Sequence, residues 1–303
     1  MTFRATFQGD VVAISDDDMN AHSLGRIVFW SLSGDVKRDD LIAALENVGS
    51  NQPAPCEVSD KAALSRAVES VARELGAEPH LRKRGDWAIV HRPKERSDVN
   101  GATEIAYPVL ATVTIDKGAL SVQEDPRLDP NVQADIRARL DAAFKHAKGI
   151  LATSDIGHWL CDRLRAKHAV ALRDSGGFYF IPKEHVPAWE QIRAAVSACS
   201  SHKIFAIPSM RSRDAIEAIL SAITSETMAE CNAAAEELGK GELGKRALAT
   251  RELGMTHMLD KLGRYESLLG RRLEDLRAAI DETQIAIVSA RMALEEQDAV
   301  SAA

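Results

Sequence analysis

The last third of the chain carries a heptad pattern that constrains the fold more than any other feature. Twelve positions alternate at steps of four and three residues, and ten of them are apolar. They are Met255, Leu259, Leu262, Glu266, Leu269, Leu273, Leu276, Ile280, Thr283, Ile287, Ala290 and Leu294. A period of 3.5 residues sustained over about six heptads is typical of a coiled coil. The pattern predicts a helix roughly 60 Å long, since each helical residue adds about 1.5 Å.

A second, shorter segment at 214–238 shows the same spacing and ends at Gly239-Lys-Gly241. The two segments together predict a C-terminal antiparallel helical hairpin of coiled-coil type. The long limb has more apolar positions than the short limb can cover. The excess can be buried on a second subunit, on the globular part, or by a break at Gly254, Gly263 or Gly270. We favour a homo-oligomer. Its predicted interface residues are Leu262, Leu269, Leu273, Leu276, Ile280 and Ile287.

The preceding residues predict a mixed α/β head, so the expected class is α+β. Short β-rich runs at 11–14 and 27–32 are bounded by turn residues, and apolar helical spacing recurs at 36–47, 62–75, 131–148 and 154–167. Hairpins are expected at 79–93 and 168–182, a strand at 105–115, a helix at 186–198 and a strand at 203–207. We expect domains at 1–125, 126–210 and 211–303, the last being the helical arm.

Composition favours a reduced cytoplasmic protein. The chain has 303 residues and a net charge of −7, which argues against general attraction to nucleic acid or anionic membranes. Only residues 129–210 are basic, with 11 Lys and Arg against 8 Asp and Glu. The four cysteines show no Cys-x-x-Cys spacing, and we find neither a secretory signal nor 18 consecutive apolar residues.

A basic β-hairpin is the best nucleic-acid candidate in the sequence. Two predicted helices followed by this hairpin resemble the order of a winged helix, in which the wing contacts phosphates. Its candidate residues are Arg82, Lys83, Arg84, Arg92 and Lys94. The preceding helix mixes acids with arginines, unlike a typical recognition helix. A simpler interpretation is a solvated strand edge whose charges prevent sheet association.

One helical stripe has the composition of a metal site or proton relay. Asp155, His158 and Asp162 are spaced i, i+3, i+7, which places them on one face of a predicted helix. Asp155 also falls in a first helical turn, where an acid is favourable without any ligand. In this alternative the stripe binds no ligand, and its acids face the solvent.

The sequence holds no common catalytic or phosphate-binding motif. Gly-x-Ser-x-Gly, His-Glu-x-x-His and Walker patterns are absent. Gly176-Gly177 lies between two apolar strands and is explained by turn geometry. No cofactor is expected.

Two short motifs resemble an uncharacterised family carried by phages and plasmids. They are Gly176-Gly-Phe-Tyr-Phe-Ile-Pro182 and Tyr265-Glu-Ser-Leu-Leu-Gly270. The resemblance implies a mobile-element context and transfers no catalytic or binding residue.

The strongest signals concern assembly, so the sequence favours a non-enzymatic, self-associating interaction or scaffold protein. A nucleic-acid-binding protein using the 79–96 hairpin is the alternative. A metal-dependent enzyme centred on Asp155, His158 and Asp162 is the second alternative.

Overall fold

The structure is a computed structural model that describes residues 5–8, 11–14, 22–81, 87–97, 103–173, 177–241 and 243–301. It is a mixed α/β protein with several antiparallel sheets, which confirms the expected class at that level. Within the described ranges, no helix combines the length and hydropathy that a membrane crossing requires.

The described residues form helices and strands with the following bounds. The α-helices are α1 (Arg38–Asn47), α2 (Asp60–Glu74), α3 (Pro130–Gly149), α4 (Thr153–Arg165), α5 (Val186–Cys199), α6 (Arg213–Lys240), α7 (Lys245–Leu269) and α8 (Glu274–Ser301). A 3-10 turn, Lys183–His185, precedes α5. The strands are β1 (Ala5–Gln8), β2 (Val11–Ile14), β3 (Ser23–Ser31), β4 (Val36–Lys37), β5 (Glu78–Leu81), β6 (Trp87–His91), β7 (Lys94–Ser97), β8 (Thr103–Ala106), β9 (Val109–Asp116), β10 (Ala119–Glu124), β11 (Ile150–Leu151), β12 (Val170–Ala171), β13 (Tyr179–Pro182) and β14 (Lys203–Met210).

The chain divides into two compact units. The first comprises residues 1–31, 160–190 and 203–303, and the second comprises 32–159 and 191–202. Each unit combines segments that are distant in the sequence. The three predicted domains, with boundaries at 125/126 and 210/211, are instead consecutive stretches of the chain.

A four-stranded antiparallel sheet in the order β12-β13-β3-β14 organises the first unit. In chain order, and leaving out 32–152, the elements β3, α4, β12, β13, α5 and β14 follow the split β-α-β pattern, although residues 153–159 of α4 and 191–199 of α5 are assigned to the second unit. Gly25 in the central strand is required by close packing. A Cβ atom there would clash with the carbonyl oxygen of Ile181 and the ring of Phe180.

The predicted coiled-coil hairpin is not confirmed, because the C-terminal segment forms three helices. The predicted long limb is divided at Gly270, which ends α7 with a left-handed φ of 67°. Gly254 and Gly263 lie inside α7 and do not interrupt it. The three helices share one apolar core with Leu24 and Phe180 of the sheet. The excess apolar surface of the long limb is thus buried within the chain.

Helices α2 and α3 lie in the second unit with the sheet β10-β9-β6-β5. The Ser59 side chain accepts a hydrogen bond from Ala62 N at the start of α2, as a helix cap does. Asp129 caps α3 in the same way, and Pro130 occupies the first turn. The apolar spacing predicted for α2 is confirmed, since Leu64, Val68 and Val71 are buried.

The two predicted hairpins are confirmed where the structure describes them. Strand β5 pairs with β6, and β12 pairs with β13, both antiparallel. The single strand predicted at 105–115 is instead divided into β8 and β9 around Pro108. Proline has no N–H for a strand ladder, which explains the interruption. The last sheet strand continues through Pro208 because β14 lies at the sheet edge.

Candidate nucleic-acid interface

Three phenylalanine rings form a row across adjacent strands of the first unit's sheet. This aromatic row consists of Phe178, immediately before β13, Phe29 in β3 and Phe205 in β14. The ring centroid of Phe29 lies 4.8 Å from that of Phe178 and 4.8 Å from that of Phe205, and both pairs are stacked. Phe178 and Phe205 remain 40% and 41% exposed. A contiguous, partly exposed aromatic surface of this kind commonly marks a binding site.

Strand register explains the row. Phe205 lies directly opposite Phe29 in the antiparallel ladder. Tyr179 lies opposite Val28, so Phe178, one residue earlier, falls opposite Phe29. Side chains alternate between the two faces of a sheet, and all three phenylalanines therefore share one face.

The opposite face of the sheet is packed into the interior. Trp30 stacks on Tyr179 with a centroid separation of 5.5 Å and lies 6.5 Å from Trp189, which is fully buried. Burial, reinforced by a hydrogen bond with Cys161, raises the pKa of Tyr179 to about 12. The row therefore lies on the other face of the sheet, where two of its rings are partly exposed.

The helices cover only part of the row's face. Phe180 belongs to the same face, yet it is fully buried and its ring centroid lies 6.3 Å from that of Tyr265 in α7. Ile207, two residues beyond Phe205, is 51% exposed. The open part of the sheet therefore has an apolar floor that includes Phe29, Phe205 and Ile207.

The charges around the aromatic row are positive. The Arg173 guanidinium carbon lies 5.9 Å from the Phe178 ring centroid, over the ring. Lys203 shares the face of Phe205 by strand alternation and is exposed. The four strands of this sheet contain no aspartate or glutamate, and of their two basic residues Lys203 falls on the face of the row whereas Arg26 falls on the opposite face. The local charge therefore has the opposite sign to the net charge of the chain.

The basic hairpin predicted from the sequence is described only in part. Arg82, Lys83 and Arg84 lie outside the described residues. Arg92 is exposed, and its guanidinium donates a 2.6 Å hydrogen bond to the Leu75 carbonyl. Lys94 is exposed at the start of β7. Nucleic-acid binding by this hairpin stays a prediction.

Two of the three proposed metal residues make other contacts, and His158 is exposed. The Asp155 carboxylate accepts hydrogen bonds from Arg66 at 2.7 Å and from Ala152 N at 2.8 Å. Asp162 forms an exposed ion pair with Arg165. Among the described residues, no group of three or more His, Cys, Asp or Glu side chains is placed to hold a metal ion. The geometry therefore gives the metal-site prediction no support.

The predicted interface residues lie inside the first unit. Leu262, Leu273, Leu276, Ile280 and Ile287 are buried, and Leu269 is half-buried. These side chains pack within the chain, since the helices turn at Gly270 and share one apolar core. Self-association itself stays a prediction.

Sequence reasoning missed the aromatic row. Apolar runs place Phe29 and Phe178 in or beside strands, but the sequence does not show which residues lie next to them across the sheet. The available signal was alternation in Ile27-Val-Phe29 and Phe178-Tyr-Phe180. Alternation assigns a side chain to one face of its own strand, and only register brings three strands together.

A model of the family of unknown function DUF6744 matches residues 23–297. No curated protein and no solved structure matches the chain.

Proposed function

Because the chain belongs to the family of unknown function DUF6744, we propose its function from the geometry of the first unit. We propose an interaction protein that binds single-stranded nucleic acid on the aromatic row. The observation that carries the proposal is the stacked, partly exposed row of Phe178, Phe29 and Phe205 on three adjacent strands.

Single strands expose the faces of their bases, and proteins bind them by stacking bases on aromatic side chains. Phe29 has a ring on each side. Phe205 has only one, and β14 is the edge strand of this sheet among the described residues. We therefore expect a base to stack on the outer face of Phe205, with neighbouring bases along the row.

Charge supports a nucleic acid more than an apolar peptide. Arg173 and Lys203 lie near opposite ends of the row, over Phe178 and beside Phe205 respectively. A phosphate backbone that follows the row would meet positive charge at both ends and no acidic side chain from the four strands. Binding should consequently weaken as salt rises.

The sequence around Phe178 agrees with this proposal. Gly177-Phe178-Tyr179-Phe180-Ile181 fits part of the Gly-aromatic-x-Phe-aliphatic core found on the third strand of RNA-recognition sheets. The sheet order β12-β13-β3-β14 and its chain order are those of such sheets. The chain departs from the pattern at Phe180, which α7 covers.

The test is fluorescence polarisation with labelled single-stranded and duplex oligonucleotides at low salt. The wild type should bind single strands in preference to duplexes. Phe205→Ala should weaken binding roughly 5- to 150-fold, since one base–aromatic stack contributes ~1–3 kcal/mol. Phe178→Ala should weaken it less, because Arg173 already occupies part of its outer side.

A matched control is Met292→Ala, which removes a similarly exposed apolar side chain from α8 of the same unit. Its affinity should equal that of the wild type. If the wild type binds no single strand, or Phe205→Ala binds as tightly as the wild type, the proposal is wrong. A loss confined to Arg82, Lys83 and Arg84 changed together to alanine would favour the basic hairpin instead.

A further inference from the structure

A polar pocket lies in the first unit, where the chain turns from α7 to α8. This corner pocket is lined by Gly263, Glu266, Ser267, Gly270, Arg271, Arg272 and Arg277 and has a volume of about 590 Å³. Gly270 adopts the left-handed conformation, and Arg271 N donates to the Glu266 carbonyl as the helix ends. The turn thereby gathers arginines from both sides of the corner around one opening.

The pocket's single acid is neutralised within the protein. The Glu266 carboxylate accepts hydrogen bonds from Arg277 at 2.6 Å and from Leu273 N at 2.9 Å. The hydrogen bond from Arg277 is the main cause that lowers the pKa of Glu266. Glu266 and Arg277 thus compensate each other, so neither contributes much net charge to the opening.

The two remaining arginines have little or no compensation. The Arg271 side chain has no hydrogen-bond or ionic partner among the described residues. Arg272 lies 3.7 Å from Glu274, and both side chains are largely exposed. Such an exposed pair is worth little. The pocket therefore retains an excess of positive charge.

A neighbouring groove of about 540 Å³ shares Gly263 and Ser267 with the corner pocket. Its two acids are balanced by two cations, since Arg264 lies 2.9 Å from Glu184 and 3.1 Å from Asp260 and Lys183 also lines the groove. The excess charge is consequently confined to the corner.

The pocket has free space beside its two glycines. A Cβ atom added at Gly263 or Gly270 would meet no atom within 4 Å. Ser267 is exposed between them and offers a hydroxyl donor. The volume is in the range of small-ligand sites, about 300–1,000 Å³.

We infer that the corner pocket binds the phosphate group of a small ligand, held by Arg271 and Arg272 with Ser267 as a hydroxyl donor. The planar guanidinium fork matches phosphate oxygens in paired hydrogen bonds. Gly263 and Gly270 leave room for the anion to approach the backbone. This inference goes beyond the proposed function, since it uses neither the aromatic row nor the sheet.

The test is isothermal titration of the full chain with pyrophosphate and with inorganic phosphate. The wild type should show saturable binding at one site. Arg271→Ala with Arg272→Ala should weaken binding at least tenfold. Arg271→Lys with Arg272→Lys should retain part of the affinity, because charge remains while the fork is lost.

The charge-matched control combines Lys240→Ala, at the end of α6, with Arg246→Ala, in the first turn of α7; both side chains are exposed. This variant should bind like the wild type. Absence of saturable binding by the wild type, or equal weakening in both alanine pairs, would overturn the inference. Phe205→Ala should leave phosphate binding unchanged, which separates this result from that of the oligonucleotide test. A 5′-phosphorylated oligonucleotide that binds tighter than its unphosphorylated form only in the presence of both arginines would identify nucleic acid as the source of the phosphate.

Discussion

His202 is a buried histidine whose neutral ring is part of the second unit's structure. Its Nδ1 accepts a 3.1 Å hydrogen bond from Ser33 N, and the residue is only 3% exposed. Burial lowers the pKa of His202 below its ordinary value, while Asp35 acts in the opposite direction. Proton uptake at Nδ1 would also remove the acceptor that Ser33 uses.

The unfolding free energy should therefore fall as the pH drops below about 6.5, the ordinary pKa of an unfolded histidine. From there down to the lower folded pKa, the unfolded chain binds a proton that the folded chain does not. Above that window, neither state is protonated and this contribution is constant. His168 and His185 also have pKa values lowered by burial and act in the same direction.

His202→Asn keeps an acceptor near the position of Nδ1 and cannot titrate. Its denaturation midpoint should fall less between pH 7 and pH 5 than that of the wild type, as measured by urea unfolding at each pH. A residual slope from His168 and His185 is expected. Parallel curves for the two proteins would contradict the assignment to His202.

At the scale of elements, the end of α7 decides how the C-terminal helices fold. Gly270 has a φ of 67°, which residues with a Cβ atom seldom adopt. No neighbouring atom restricts a side chain there, so conformation alone requires the glycine.

Gly270→Ala should lower the unfolding free energy by about 1–2 kcal/mol, the cost of a left-handed residue with a Cβ atom. The control is Gly254→Ala within α7, where a Cβ atom also meets nothing within 4 Å and φ is not positive. That change should stabilise the protein by ~0.5–1 kcal/mol, since alanine favours a helix interior. Changes of the same sign at both sites, measured by chemical denaturation, would show that φ is not the cause.

At the scale of the whole molecule, the burial of apolar side chains within the chain distinguishes a core from an interface. Leu273 and Ile280 are buried, in a core that also includes Tyr265 and Phe180. A carboxylate placed in such a core has no partner and costs several kcal/mol. The cost of two such carboxylates approaches the whole unfolding free energy of a typical domain, about 5–15 kcal/mol.

Leu273→Glu with Ile280→Glu should therefore unfold the first unit rather than release a folded monomer. Circular dichroism and light scattering would distinguish the two outcomes. Ile285→Glu with Met292→Glu is the matched control, because both side chains on α8 are more than half exposed. It should stay folded. A wild-type oligomer that becomes a folded monomer with the Leu273 and Ile280 changes would restore the predicted interface.

Membership of DUF6744 agrees with the resemblance seen in the sequence only in that the family is uncharacterised. A phage or plasmid origin stays a prediction, as does a cytoplasmic location.

The sequence by itself determined the local structure of this protein. Apolar spacing of 3.6 residues placed α2, with Leu64, Val68 and Val71 on its buried face. Turn residues between apolar runs predicted both hairpins. These features depend on interactions between residues close in the chain, which is why composition and spacing contain them.

Only the tertiary structure decided which surfaces those elements share. A heptad stripe indicates that one side of a helix must be buried, but it does not show whether a second copy or the same chain covers that side. Gly254, Gly263 and Gly270 were equally possible breaks, and the left-handed turn at Gly270 selected one. The aromatic row likewise needed the register of β3 with β13 and β14, strands distant in the sequence. Long-range pairing is set by the packing of the whole unit, and no single segment encodes it.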